Sequence, residues 1–144
     1  GIEEALIELS PYIDQCMLHN NQNPYTIGLL VPNKDTVQRY LKDRNLSSST
    51  KEGQDAVVEL FKNEIAKFKK DGEYDDHFPD RWLPVTFAII GEGFTEENKM
   101  LNSTLKIVRR NIEKYYKDRI EYMYTAEGKN PFNQQNRNIV ERIL

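Results

Sequence analysis

The residues with the clearest capacity for chemistry lie at 102–110, where Asn102-Ser103-Thr104 runs into Lys106, Arg109 and Arg110. The apolar spacing downstream predicts a helix opening near Leu105. A helix start carries about half a positive charge and disfavours cations by roughly 0.3–1 kcal/mol each. Three cations at that end become favourable once an anion is brought among them and the free backbone N–H groups. A phosphate or a carboxylate is the ligand such an arrangement takes. Asn102, Ser103 and Thr104 are also cap-forming types, whose side-chain oxygens satisfy free N–H groups.

The other candidates are weaker. Asp75-Asp76-His77 with Asp80 lacks the paired ligand spacing of a zinc or calcium loop and reads as a solvated acidic loop, so no metal site is expected. His19 sits beside Asn20, Asn21 and Asn23 and reads as a turn residue. Glu96-Glu97 reads as an exposed pair, and no histidine lies near Ser103 in sequence to activate it as a nucleophile. Cys16, the single cysteine, lies in the apolar run Ile13–Leu18 and reads as a buried, inert thiol.

Composition narrows the classes. The chain has 144 residues, 38% hydrophobic and 30% charged, with 8 Tyr, 6 Phe and 1 Trp, which is enough to build one domain with a core. A net charge of -3 argues against a nucleic-acid partner, and Glu113, Asp118, Glu121 and Glu127 interrupt the basic face of the last long helix. No run of about 18 apolar residues suits a membrane span, and no signal peptide opens the chain. A reducing cytoplasm fits one unpaired cysteine. The start at Gly1 without an initiating Met predicts a piece of a longer protein.

The elements that must position these groups follow from periodicity. Ile2, Ala5, Leu6 and Leu9 predict a helix that Ser10-Pro11 ends. Tyr12–His19 and Tyr25–Val31 predict two strands of a hairpin, and Leu83–Ile90 a third strand. Helices are predicted over Lys34–Arg44 and Gln54–Lys70. A long one is predicted over about Leu105–Tyr124, where Leu105, Val108, Ile112, Tyr116, Ile120 and Met123 form one stripe. Phe132–Leu144 suits a further short helix. The order α-β-β-α-α-β-α predicts an α+β fold: a small, mostly antiparallel sheet of about three strands covered by helices.

Two segments resemble a known family. The stretch Glu96-Glu97-Asn98-Lys99-Met100-Leu101-Asn102-Ser103-Thr104-Leu105-Lys106-Ile107-Val108-Arg109-Arg110 resembles the signature near the end of long-chain acyl-CoA synthetases, roughly Glu-Asn-Gly-x-Leu-Thr-Pro-Thr-Leu-Lys-x-x-Arg-Arg. Ser10-Pro11-Tyr12-Ile13-Asp14-Gln15-Cys16-Met17 and Gly28-Leu29-Leu30-Val31-Pro32-Asn33 look like that family's SPYI-x-Q-x-M strand and the segment after it. Ile2-Glu3-Glu4-Ala5-Leu6 resembles the helix that opens the family's small C-terminal domain. The chain departs from the pattern at Lys99, Asn102 and Ser103, where the family has Gly, Thr and Pro.

The resemblance implies the C-terminal lid domain of an adenylate-forming enzyme over residues 1–124, with 125–144 as an extension. It implies a ligase that joins a fatty acid to coenzyme A through an acyl-adenylate, using ATP and magnesium. Lys106 matches the family's catalytic lysine, while Arg109 and Arg110 fit helix-surface or interdomain contacts. No segment resembles the family's ATP-binding loops. The implied partner is therefore an N-terminal adenylation domain of the same chain, and this piece alone is expected to be inactive. The implied location is cytoplasmic, with peripheral membrane association of the intact enzyme left open. The rival reading is a non-catalytic interaction module with the same fold.

Overall fold

The computed structural model describes all 144 residues, Gly1–Leu144. Helix α1 (Ile2–Leu9) leads into strands β1 (Ile13–His19) and β2 (Ile27–Pro32). Helices α2 (Lys34–Asp43) and α3 (Lys51–Ala66) follow, then a 3-10 turn at Asp80–Trp82 and β3 (Thr86–Ile89). The chain closes with α4 (Arg109–Tyr115), α5 (Lys117–Met123) and α6 (Gln134–Ile143). The three-stranded sheet has the order β1-β2-β3. β1 and β2 are antiparallel, with Cys16 opposite Leu30, and β2 and β3 are parallel, with Leu30 opposite Ile89. The sheet is therefore mixed. Because α2 and α3 lie between β2 and β3, they form a crossover, and a crossover brings the next strand in parallel.

Local chemistry sets the helix boundaries. Asn33 caps α2 by accepting from Thr36 N, and Thr50 caps α3 by accepting from Gly53 N. Asn45, at φ 55°, ends α2 in the left-handed conformation that closes a helix, with Leu46 N donating to Leu41 O at 2.9 Å. Gly53 permits the turn before α3 to lie against the helix, since a Cβ there would meet Ser47 O at 1.7 Å.

All six residues of β2 are buried, and their alternation feeds both faces of the sheet. Leu30, Phe87 and Ile89 point into a cluster of 16 buried residues shared with α1, α2, α3 and α6. Ile27, Leu29, Val31, Ala88 and Ile90 point into a cluster of 11, covered by α4, α5 and the 94–100 segment. The last twenty residues share this core. Val140 is fully buried, and Asn136 on α6 accepts from Ile89 N and donates to Phe87 O, so one amide side chain pairs with the outer edge of β3 as a strand would. No helix is long and apolar enough to cross a membrane.

The predicted helix over Leu105–Tyr124 is corrected. It starts at Arg109 and divides at Tyr116, which lies at φ -100° and ψ 23° between α4 and α5. Residues 100–108 instead bond to one another: Leu101 and Ile107 form an antiparallel bridge, and Val108 N donates to Met100 O at 2.8 Å. Leu105 has φ 62°, which no right-handed helix accepts. The apolar stripe is real, but its first member is an exposed hairpin tip, with Leu105 68% exposed.

Candidate functional site

The 95–108 segment is two stacked turns built largely by two asparagines. Asn98 Oδ1 accepts from Thr95 N and Met100 N, both at 3.0 Å, and its Nδ2 donates to Gly93 O at 2.9 Å. Lys99 takes φ 64°, the left-handed backbone that favours glycine, and Asn111 Nδ2 of α4 donates to its carbonyl at 2.7 Å. Met100 is buried and anchors the segment to the sheet. Asn102 then organises the tip. Its Oδ1 accepts from Thr104 N at 2.9 Å, Thr104 Oγ1 at 2.8 Å and Lys106 N at 3.0 Å, and its own N donates to Lys106 O at 2.9 Å.

Asn102 and Thr104 therefore cap a hairpin, not a helix. Lys106 lies three residues before α4, so the expectation of an anion held at the helix start by Lys106 is corrected. Its side chain is exposed and takes part in none of the ion pairs. A bonded backbone thus carries an unpaired ammonium group on its outer edge. Asn98, Lys99, Met100, Asn111, Lys114 and Tyr115 line a shallow depression of about 490 Å³. A phosphate or carboxylate brought to Lys106 would displace no internal partner of its side chain.

Arg109 and Arg110 have different fates. Both are exposed, but Arg109 is tied to the domain: it pairs with Glu3 of α1 and donates to Leu18 O at 3.2 Å. Glu3 also accepts from Leu18 N at 2.6 Å. The Glu3 bond is the main cause that raises the Arg109 guanidinium above the ordinary arginine value. This clasp joins α1, the edge of β1 and the start of α4, and no sequence signal announced it, because its partners are 106 residues apart.

The remaining candidates are structural. His19 ends β1 and pairs with Glu113 of α4 at 2.5 Å. His77 packs against Phe68 and Tyr74. Asp75 accepts from Asp71 N and Asp76 N, which closes its own loop. No group of three or more His, Cys, Asp or Glu side chains gathers where it could hold a metal ion. Glu96 and Glu97 are exposed and unpaired. Burial pushes the Cys16 thiol up to about 12, which keeps it protonated and inert at neutral pH. A polar crevice of about 510 Å³ between Asp14, Asn33, Gly91 and Gly93 lies apart from the hairpin residues.

No protein-family model matches the chain. It is 23% identical to fatty acyl-CoA synthetase B of Dictyostelium discoideum over 126 residues, covering 85% of this chain and 18% of that protein. It is 26% identical to long chain acyl-CoA synthetase 8 of Arabidopsis thaliana, covering 86% and 17%. It is 27% identical to carboxylic acid reductase of Mycobacterium tuberculosis, covering 85% and 9%.

Among solved structures, the adenylation domain of a carboxylate reductase from Mycobacterium chelonae matches with a TM-score of 0.65 at 23% identity, over 84% of this chain and 17% of that one. The A domain of carboxylic acid reductase from Segniliparus rugosus, in complex with AMP and a co-purified carboxylic acid, matches with a TM-score of 0.60 at 21% identity, over 85% and 17%. Each of these curated relatives aligns with about 85% of this chain, and the solved structure from Mycobacterium chelonae is an adenylation domain. The α+β fold is one found within adenylation domains. The chain spans less than a fifth of the length of these relatives, 18% of fatty acyl-CoA synthetase B.

Proposed function

We propose that this chain is the mobile C-terminal lid of an ATP-dependent carboxylate-activating enzyme of the acyl-CoA synthetase type, and that Lys106 is its adenylation lysine. The carrying observation is the exposed, unpaired Lys106 on a hairpin whose backbone is already bonded. In the reaction, a fatty acid carboxylate attacks the α-phosphorus of ATP, the bond to pyrophosphate breaks, and an acyl-adenylate forms. Two anions must approach each other, and an ammonium group between their oxygens offsets the charge that builds up there. Lys106 takes that role when the lid closes on the adenylation domain, and its fixed hairpin means little reorganisation at that moment.

The same lid then rotates so that the thiol of coenzyme A displaces AMP and the acyl thioester forms. Magnesium and the acyl chain are held by the larger domain. The likeness to carboxylic acid reductases supports a carboxylic acid as the activated group, and the two acyl-CoA synthetase relatives favour a fatty acid and coenzyme A. The test uses the intact enzyme and its two half-reactions. Lys106→Ala should slow carboxylate-dependent pyrophosphate release by about 10²–10³-fold, the loss expected for one oxyanion-stabilising donor. Thioester formation from supplied acyl-adenylate should change far less. Wild-type rates in both half-reactions would remove Lys106 from the chemistry.

A further inference from the structure

The depression lined by Asn98, Lys99, Met100, Asn111, Lys114 and Tyr115 encloses about 490 Å³ between the 95–108 turns and α4. Its walls are tied together: Asn111 Nδ2 on α4 donates to Lys99 O at 2.7 Å. Met100 lines it while only 4% exposed, and so forms its floor. Tyr115 is 65% exposed, and its ring makes an edge-on contact with Tyr116, centroid to centroid 4.8 Å at 77°. An open aromatic face is thus held in place by a neighbouring ring.

The charge around this hollow has one sign. Lys99 and Lys114 are the charged residues of the lining, no carboxylate joins them, and neither takes part in any of the six ion pairs. Glu113 is paired with His19, and Glu96, Glu97 and Asp118 line no part of the depression. Other cavities differ: Asp14 and Asp35 line the crevice at Asn33, and Glu113 and Glu121 line the one at His19. Two cations around one hollow repel each other, and an anion seated between them removes that repulsion. Lys99 also holds φ 64°, a conformation in which glycine would be relaxed. The chain accepts that backbone and gains a cation beside the hollow.

We infer that this depression binds a nucleotide, with its base stacked on Tyr115 and a phosphate between Lys99 and Lys114. An ammonium group is a compact donor that suits phosphate, and every nucleobase offers a face to an exposed aromatic ring. The volume lies within the range of small-molecule sites. A fatty acid finds less here, because Met100 is already buried and the Tyr115 ring offers a plane, not a tunnel. Lys106 is not part of the lining, so the inference stands apart from its proposed role.

The test is a titration of the chain with AMP, adenosine and inorganic phosphate in separate experiments, at ionic strength held constant with sodium chloride. It is followed by the amide resonances of residues 98–115 and the ring protons of Tyr115. AMP should saturate with a Kd on the order of 1 mM, about tenfold tighter than adenosine or phosphate. The Tyr115 ring protons should move upfield with AMP and stay in place with phosphate. Lys99→Gly should weaken AMP binding about fivefold or more. Its urea midpoint should not fall, since glycine is relaxed at that φ, which separates a lost contact from a lost fold. Lys114→Gln should weaken both AMP and phosphate, and Tyr115→Leu should weaken AMP alone. No saturation by AMP below about 50 mM, an AMP affinity equal to that of adenosine or phosphate, or unchanged AMP binding in Lys99→Gly would overturn the site. So would shifts confined to the 102–107 tip, or equal binding of an oligoglutamate peptide, a partner that needs only the charge.

Discussion

The two faces of the sheet are built differently. The face toward α3 holds 16 buried hydrophobic residues, including Phe61, Phe68 and Phe87, and its main helix runs without interruption over Lys51–Ala66. The opposite face holds 11, under two helices of seven residues each and the 95–108 turns. On the first face, long helices are held by apolar area, which is non-directional. On the second, Asn98, Asn102 and Asn111 hold the chain through directional hydrogen bonds, and these fix a loop where a helix would not present Lys106 at a tip. The large core stabilises, and the small one aims.

That contrast can be broken by substitution. Phe61→Ala, in the large cluster, should destabilise by about 3–5 kcal/mol, read as a fall in the urea midpoint at constant slope. A loss below about 1 kcal/mol would mean that this face is not the main store of stability. Asn136→Leu should cost about 1–3 kcal/mol for each of Ile89 N and Phe87 O left without its partner, with faster amide exchange at Ile89 as the local readout.

The Glu3–Arg109 clasp should be weaker. Arg109 is about half exposed, so solvent screening discounts the pair. A double-mutant cycle with Glu3→Gln and Arg109→Gln should give a coupling of about 0.2–1 kcal/mol. Lys106→Ala should shift unfolding by no more than about 0.5 kcal/mol, because the side chain is exposed and its backbone bonds remain. Set against the large loss of adenylation proposed for the same substitution, that neutrality would separate aim from stability. A large destabilisation would show instead that the lysine belongs to the scaffold.

Much of the scaffold was legible. Apolar runs bounded by turn residues placed the three strands, and the repeats through Val57, Leu60, Phe61 and Ile65 placed α3, because burial leaves a pattern that sequence records. The hairpin at 101–107 was not legible. Leu105, Val108 and Ile112 satisfy a helical period whether or not the backbone is helical. The decision fell to Asn102, whose oxygen bonds Thr104 and Lys106, and to Leu105 in a left-handed conformation. Asparagine serves caps and turns equally well, so its type alone does not choose between them.

By itself the sequence determined the α+β class, the order of the elements through β3 and the resemblance carried by residues around Tyr12 and Lys106, since each is written in local spacing or in matching residues. Only the tertiary structure decided that β3 lies parallel to β2 and that Arg109 pairs with Glu3. Those outcomes depend on groups far apart in the chain meeting in space. Periodicity reports which side of an element is buried, and it carries no information about what buries it.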